Sequence, residues 1–296
     1  MSDPFSHVMD SSHWHLFENI DVGFHLPLGL TKFMVLELIA ALIIVAIYLP
    51  LAKQMKGGEL PKGAWWNFWE VLLTFIREEV ARPNISEPHH HDDHAHDDHG
   101  HGGGHGESHA TVATVPAPGA YYCDRYVPFL WTMFLFILIN NLLGMLPFMG
   151  SATGSFTVTV ALATITFLFI HGNAIRVGGF KGYLGNFLPP VEAPFVLKIF
   201  LVPMMFVIEV VGALIKCFVL AVRLFANMFA GHMVLAFILT FIVLVKDMGL
   251  FYLVTPTAVA GNVALSLLEL FVAFLQAFIF TYLTAIFLGT MLAPEH

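Results

Sequence analysis

Apolar residues fill 33 to 52 (FMVLELIAALIIVAIYLPLA) apart from Glu37, about enough helix to cross a hydrocarbon layer of ~30 Å. Between 64 and 80 the pattern changes: Trp65, Phe68, Trp69, Leu72, Leu73 and Ile76 recur at helical spacing, and Glu70, Arg77, Glu78 and Glu79 take much of the rest. That spacing predicts an amphipathic helix, lying on a membrane surface or packed on the bundle. Further apolar spans cover 127–149 and 156–171. The segments 194–245 and 250–292 are almost wholly apolar and too long for one upright crossing; the first alone would make roughly 75 Å of helix at ~1.5 Å per residue. Mismatch of that size exceeds ordinary tilt, so a hairpin, two spans or a strongly inclined helix pair joined at 245–249 is expected. The fold class is all-α: a polytopic membrane protein of about five hydrophobic helices plus one interfacial amphipathic helix.

Composition agrees. Of 296 residues, 57% are hydrophobic and 11% charged, which excludes an ordinary globular enzyme. The net charge of -8 is concentrated at the amino end and in one polar stretch, and does not suggest nucleic acid. Cys123 and Cys217 stand in separate apolar contexts and offer neither a disulfide framework nor a metal motif. The first thirty residues carry acids and no base, unlike a signal peptide, so the first span is expected to be retained. Basic residues set orientation. Lys53, Lys56, Lys62, Arg77 and Arg82 follow the first span, Arg125 precedes the second, and Arg176 and Lys181 follow the third. Those ends are expected in the cytoplasm, which leaves 1–32 outside, 53–126 inside and the carboxyl end inside.

Within 53–126, residues 84–120 lose all periodicity, with nine histidines between His89 and His109 among aspartates and glycines. By composition this is a disordered loop. Imidazoles and carboxylates at that density bind first-row metals weakly, which raises a competing class, a divalent-metal transporter. Such a carrier needs several ligands around one ion inside its spans, and no intramembrane histidine or acid pair occurs at three- or four-residue spacing. A purely structural membrane subunit is the third class. No nucleotide-binding motif or nucleophile arrangement occurs, so no catalytic residue, metal or cofactor is expected.

The polar residues of 127–292 carry the chemistry. Arg223 has no acidic residue within ten positions on either side. Its guanidinium stays protonated, and central insertion in a bilayer costs ~3 kcal/mol on translocon scales and ~10 in simulations. Glu209, Lys216 and Arg223 are seven apart and return to within ~20° of one direction. Asn227 and Ala230 continue the stripe, and Ala226 and Gly231 flank it with small side chains that let a partner helix approach. His232, nine residues on, points the other way. In the last segment Glu269 and Gln276 share a face. A buried carboxylate tends to take a proton and imidazole titrates near neutrality, so these groups suit a proton relay.

The runs Arg223-Leu-Phe-Ala-Asn227-Met-Phe-Ala-Gly231-His232, Leu275-Gln276-Ala-Phe-Ile-Phe280-Thr-Tyr-Leu-Thr284 and Asn141-Leu-Leu-Gly144-Met-Leu-Pro147 resemble subunit a of the F-type ATP synthases. The resemblance covers roughly 30–292, apart from the histidine-rich loop. It implies a proton-translocating stator in the bacterial inner membrane, with two half-channels meeting a rotating c-ring, and the peripheral stalk subunit b, the other synthase subunits and the bilayer as further partners. Arg223 would separate the half-channels and face the ring carboxylates. His232 and Glu269 match a coupled polar pair whose members are exchanged relative to some relatives, Asn227 and Gln276 match polar positions of the inward path, and Glu209 matches an acidic position of the cytoplasmic outlet. Phe-Ala-Asn replaces the Phe-Gly-Asn of many relatives.

Overall fold

The computed structural model describes residues 13–17, 20–25, 32–56, 63–85, 122–146, 151–186, 195–244 and 251–292. Five helices in it are long and apolar enough to cross a membrane, so the chain is a multi-pass membrane protein. A short antiparallel hairpin, β1 (His13–Phe17) with β2 (Ile20–His25), precedes them; no alternation in the sequence had singled it out. The histidine-rich stretch from 89 to 109 and the junction at 245–249 lie outside the described residues.

Helix α1 (Lys32–Lys56) is apolar all round, so hydropathy alone assigns it no inner face. The structure does. Phe33, Leu36, Ala40, Ile44, Ile47 and Leu51 are buried at alternating three- and four-residue steps, while Leu38, Leu42, Val45 and Leu49 face outward. In lipid an outward leucine costs nothing, because the solvent is as apolar as the core; close fit and small residues select the neighbours instead.

The amphipathic segment forms α2 (Ala64–Phe75), a π-helical stretch Ile76–Ala81 and the short α3 (Arg82–Asn84). Trp69, Leu72, Ile76, Val80 and Ala81 turn into the bundle, whereas Trp65, Phe68 and Val71 are exposed. The helix is therefore packed on the bundle and still presents an aromatic flank. Ile85, only 3% exposed, belongs to the same core. Arg77, in the π stretch, donates from Nε and an Nη to the two carboxylate oxygens of Asp124 at 2.7 Å each. Asp124 lies in the 3-10 turn Tyr122–Arg125. The Asp124 hydrogen bond, ahead of its charge, holds the guanidinium above its ordinary pKa and outweighs the opposing effect of burial.

Helix α4 (Val127–Gly144) starts with Pro128 in its first turn, where a missing N–H costs nothing. It is the centre of the bundle. Leu130, Trp131, Phe134, Leu135 and Ile137 are wholly buried there. After the 3-10 turn Ala152–Gly154 comes α5 (Phe156–Asn186), longer than the span expected at 156–171. Gly179 interrupts α5 with φ 66° and ψ 170°, a conformation open to glycine and strained for residues with a Cβ.

The two overlong segments are single helices, α6 (Phe195–Leu244, 50 residues, with Pro203 inside) and α7 (Phe251–Leu292, 42 residues, with Pro256 inside). They pack on each other and on α5, and α7 also packs on α4. Close approach is bought with small residues: Ala273, Ala277, Ala285 and Gly289 of α7 are all buried. At Gly289 an added Cβ would fall 1.7 Å from the backbone oxygen of Asn84, so α7 rests directly on the end of α3. Thr281 and Thr284 are wholly buried, and each hydroxyl donates back to a carbonyl one turn earlier, Ala277 at 2.9 Å and Phe280 at 2.8 Å. The tight packing strands neither hydroxyl.

Candidate functional site: a polar seam between α6 and α7

The predicted stripe on α6 faces outward. Lys216, Arg223, Ala226 and Ala230 are exposed and Glu209 is half-buried, while Leu220, Leu224 and Met228 turn into the bundle. Among the described residues Arg223 has neither a salt bridge nor a hydrogen-bond partner. Lys216 lies 5.5 Å from the centre of the Phe287 ring of α7, which carries part of its cation's interaction.

His232 turns the other way, as its nine-residue offset from Arg223 requires. Its Nδ1 lies 2.8 Å from the Met228 carbonyl and 3.2 Å from Glu269 Oε1, and its Nε2 lies 2.8 Å from the Gly144 carbonyl. Carbonyl oxygens only accept. Both are satisfied together when the ring carries hydrogen on both nitrogens, with the Glu269 carboxylate beside it as counter-charge. Glu269 Oε1 makes no aligned hydrogen bond, so the 3.2 Å contact is electrostatic and the Nδ1 hydrogen points first to Met228. Three helices build this pair: α6 supplies the ring, α7 the carboxylate and the end of α4 an acceptor.

Two glycines make room for it. An added Cβ at Gly231 would lie 2.6 Å from Glu269 Oε1, and one at Gly144 would lie 2.7 Å from Ser151 Oγ and 3.1 Å from Met228 Cε. Behind Gly144, Thr153 Oγ1 donates to Asn141 Oδ1 at 2.8 Å and Asn141 donates to the Ala273 carbonyl of α7 at 3.3 Å. Ser151 Oγ caps its own turn by accepting from Gly154 N at 3.1 Å. Asn141 and Thr153 are wholly buried, so this network fixes the end of α4 against α7.

Gln276 is buried on α7 and Asn227 half-buried on α6; the amide nitrogen of each lacks a hydrogen-bond partner among the described residues. Such groups are costly to bury dry, and they suit a path that holds water. On the other side of Glu269, Ser266 and Asn262 extend the α7 polar face and border an apolar groove of about 430 Å³ that includes Met145 and Leu239. Neither was singled out from the sequence, though the four- and three-residue steps from Asn262 through Ser266 to Glu269 carry the signal. The groups expected at the site thus fall into two sets, Glu209 and Arg223 on the outward stripe and His232 with Glu269 in the seam. Among the described residues no three His, Cys, Asp or Glu side chains are grouped as metal ligands.

Known proteins share this sequence. The family described as ATP synthase A chain matches residues 113–289. An ATP synthase subunit a of Chloroherpeton thalassium is 36% identical, covering 99% of this chain and 77% of its own length. That of Myxococcus xanthus is 38% identical over 92% of this chain and 75% of its own, and an ATP synthase subunit a 2 of Chlorobaculum tepidum is 33% identical over 98% and 72%. With the match spanning the polar seam and the outward arginine, the chain belongs to the ATP synthase A chain family.

Proposed function

We propose that this chain is the stator of a proton-driven ATP synthase in a bacterial inner membrane, and that it forms two offset half-channels against a rotating ring of carboxylate-bearing c subunits. The carrying observation is Arg223: a permanent cation, exposed on the outward stripe of α6 and without a salt bridge or hydrogen-bond partner among the described residues. Such a charge calls for a mobile anion from outside the chain. Ala226 and Ala230 beside it are exposed and small, which suits a ring helix passing close by.

In this reading the amino end lies outside and the carboxyl end in the cytoplasm. Protons come from outside along the Asn262–Ser266 face to Glu269 and His232, pass Asn227 and Gln276, and neutralise a ring carboxylate that then moves into lipid. After nearly a full turn that carboxylate reaches the outlet near Glu209 and gives up its proton, while Arg223 blocks a direct leak between the two halves. The membrane potential adds ~2.3 kcal/mol per charge per 100 mV. The chain is non-catalytic, and nucleotide chemistry belongs to other subunits. Subunit b of the peripheral stalk holds it against the torque. Arg223→Ala in the complete complex tests the reading: proton-driven synthesis is lost while the subunit still assembles. Normal synthesis in that variant refutes it.

A further inference from the structure

A second polar constellation lies away from the seam. Helices α5, α6 and α7 enclose a small cavity of about 40 Å³ lined by Thr166, His171, Lys216, Cys217 and Thr290 among apolar residues. That volume admits water, and the lining offers it polar partners. Cys217 is engaged locally, its thiol 3.4 Å from the Ala163 carbonyl, and Thr166 donates to the Leu162 carbonyl at 3.0 Å. His171 is only 8% exposed, yet its Nδ1 lies 3.1 Å from the hydroxyl of Tyr183.

Helical geometry makes that contact unusual. Twelve residues of straight helix would separate the two by ~18 Å. The left-handed bend at Gly179 turns the chain so that Tyr183 comes back over the ring. Tyr183 itself is half-buried, and the bend around it (Arg176, Gly179, Gly182) is exposed. Burial raises the phenol above its ordinary pKa, so it remains a hydroxyl able to donate and accept. The groups facing His171 from neighbouring elements are Lys216 and Cys217 of α6, Thr290 of α7 and Tyr183 across the bend. Packing against Phe167, with ring centres 4.0 Å apart, needs only an aromatic ring. The Nδ1 bond to a hydroxyl at the edge of a water-sized cavity calls for an imidazole.

We propose that His171 and Tyr183 form a proton relay from the cavity beside Lys216 to the end of the bundle that carries Arg176. This rests on the proton-conducting function proposed above and adds a step to its outlet. A proton binds Nε2 of a ring whose Nδ1–H donates to the phenol oxygen. The Nδ1 proton passes to that oxygen as the phenol releases its own to water on the far side. One proton enters and one leaves, and the ring is left neutral with hydrogen on Nε2. Rotation of the ring then turns Nδ1 to the cavity water, which gives it a proton as Nε2 returns its own to water, and rotation back restores the starting state.

The test uses the complete synthase in liposomes, with proton-driven ATP synthesis as the readout and subunit content of the purified complex as the check on assembly. Tyr183→Phe removes one oxygen and keeps the ring. It is expected to slow synthesis about a hundredfold, at the low end of what positioned acid–base groups contribute. His171→Ala is expected to be at least as slow and to recover when imidazole is supplied on the Arg176 side, but not with pyrazole, a ring of equal shape and far weaker basicity. A merely structural role predicts no rescue, or equal rescue by both rings. Unchanged rates in Tyr183→Phe, or either of those rescue patterns, overturn the relay. Arg223→Ala separates the two levels: if it abolishes synthesis while the relay variants run normally, the relay alone fails, whereas surviving synthesis in Arg223→Ala defeats the underlying function.

Discussion

Gly231→Ala puts one methyl group where the seam has no space. The new Cβ would lie 2.6 Å from Glu269 Oε1 and 2.9 Å from its Cδ. An ordinary contact requires the oxygen to retreat by roughly 0.8 Å, and forced overpacking costs about 1–3 kcal/mol. Alanine returns about 1 kcal/mol of helix propensity, so folding changes little. Function does not share that compensation. Retreat from α6 opens the 3.2 Å electrostatic approach of Glu269 to His232 Nδ1 to about 4 Å, too far for direct proton transfer. A loss of ~1.4 kcal/mol or more in transfer through the pair is a tenfold or greater fall in rate. The assay is ATP-driven proton pumping into liposomes by the complete synthase, read as quenching of a pH-sensitive dye, beside thermal unfolding in detergent. Gly261→Ala is the control, because a Cβ there meets nothing within 4 Å. It is expected to pump normally. If Gly231→Ala pumps as fast as Gly261→Ala, the argument that glycine clears space for the carboxylate is refuted.

Gly289→Ala would set a methyl group 1.7 Å from the Asn84 backbone oxygen, and backbone cannot step aside as a side chain can. A loss of about 3 kcal/mol or more is expected, read as a lower unfolding temperature and reduced recovery of the subunit in the complex. Arg77→Lys keeps the charge but not the two-pronged bond to Asp124, and an unfolding-free-energy loss of about 1 kcal/mol is expected. Arg77→Met removes the guanidinium facing Asp124, whose side chain is 10% exposed, and is expected to cost about 2–3 kcal/mol, somewhat below a fully buried pair because water still screens it. Arg77→Lys as stable as the parent would show that the second hydrogen bond contributes nothing.

Hydropathy located the membrane helices because apolar length is a property of the segment alone. Seven-residue spacing likewise grouped Glu209, Lys216 and Arg223, and nine-residue spacing turned His232 away from them, since both follow from the helix's own period. Spacing is silent about which helix stands opposite. Nothing local in α4 announces that the Gly144 carbonyl receives His232 across 88 positions, or that Asn141 reaches Ala273 across 132. Gly231 reads as one more small residue until Glu269 is seen against it. Spacing paired His171 with Phe167 but not with Tyr183, because the bend that delivers the tyrosine hangs on the backbone of Gly179 and not on any side-chain pattern.

The Arg77–Asp124 pair has a consequence for how the protein can vary. It joins the two flanks of residues 86–121, and Ile85 and Tyr126 are anchored in the same core on either side. The two ends of that segment are therefore stapled together on one body. Doubling an inserted length costs only about 0.6 kcal/mol in closure entropy. A longer or shorter segment between those anchors is accordingly expected to leave the helices on either side in register.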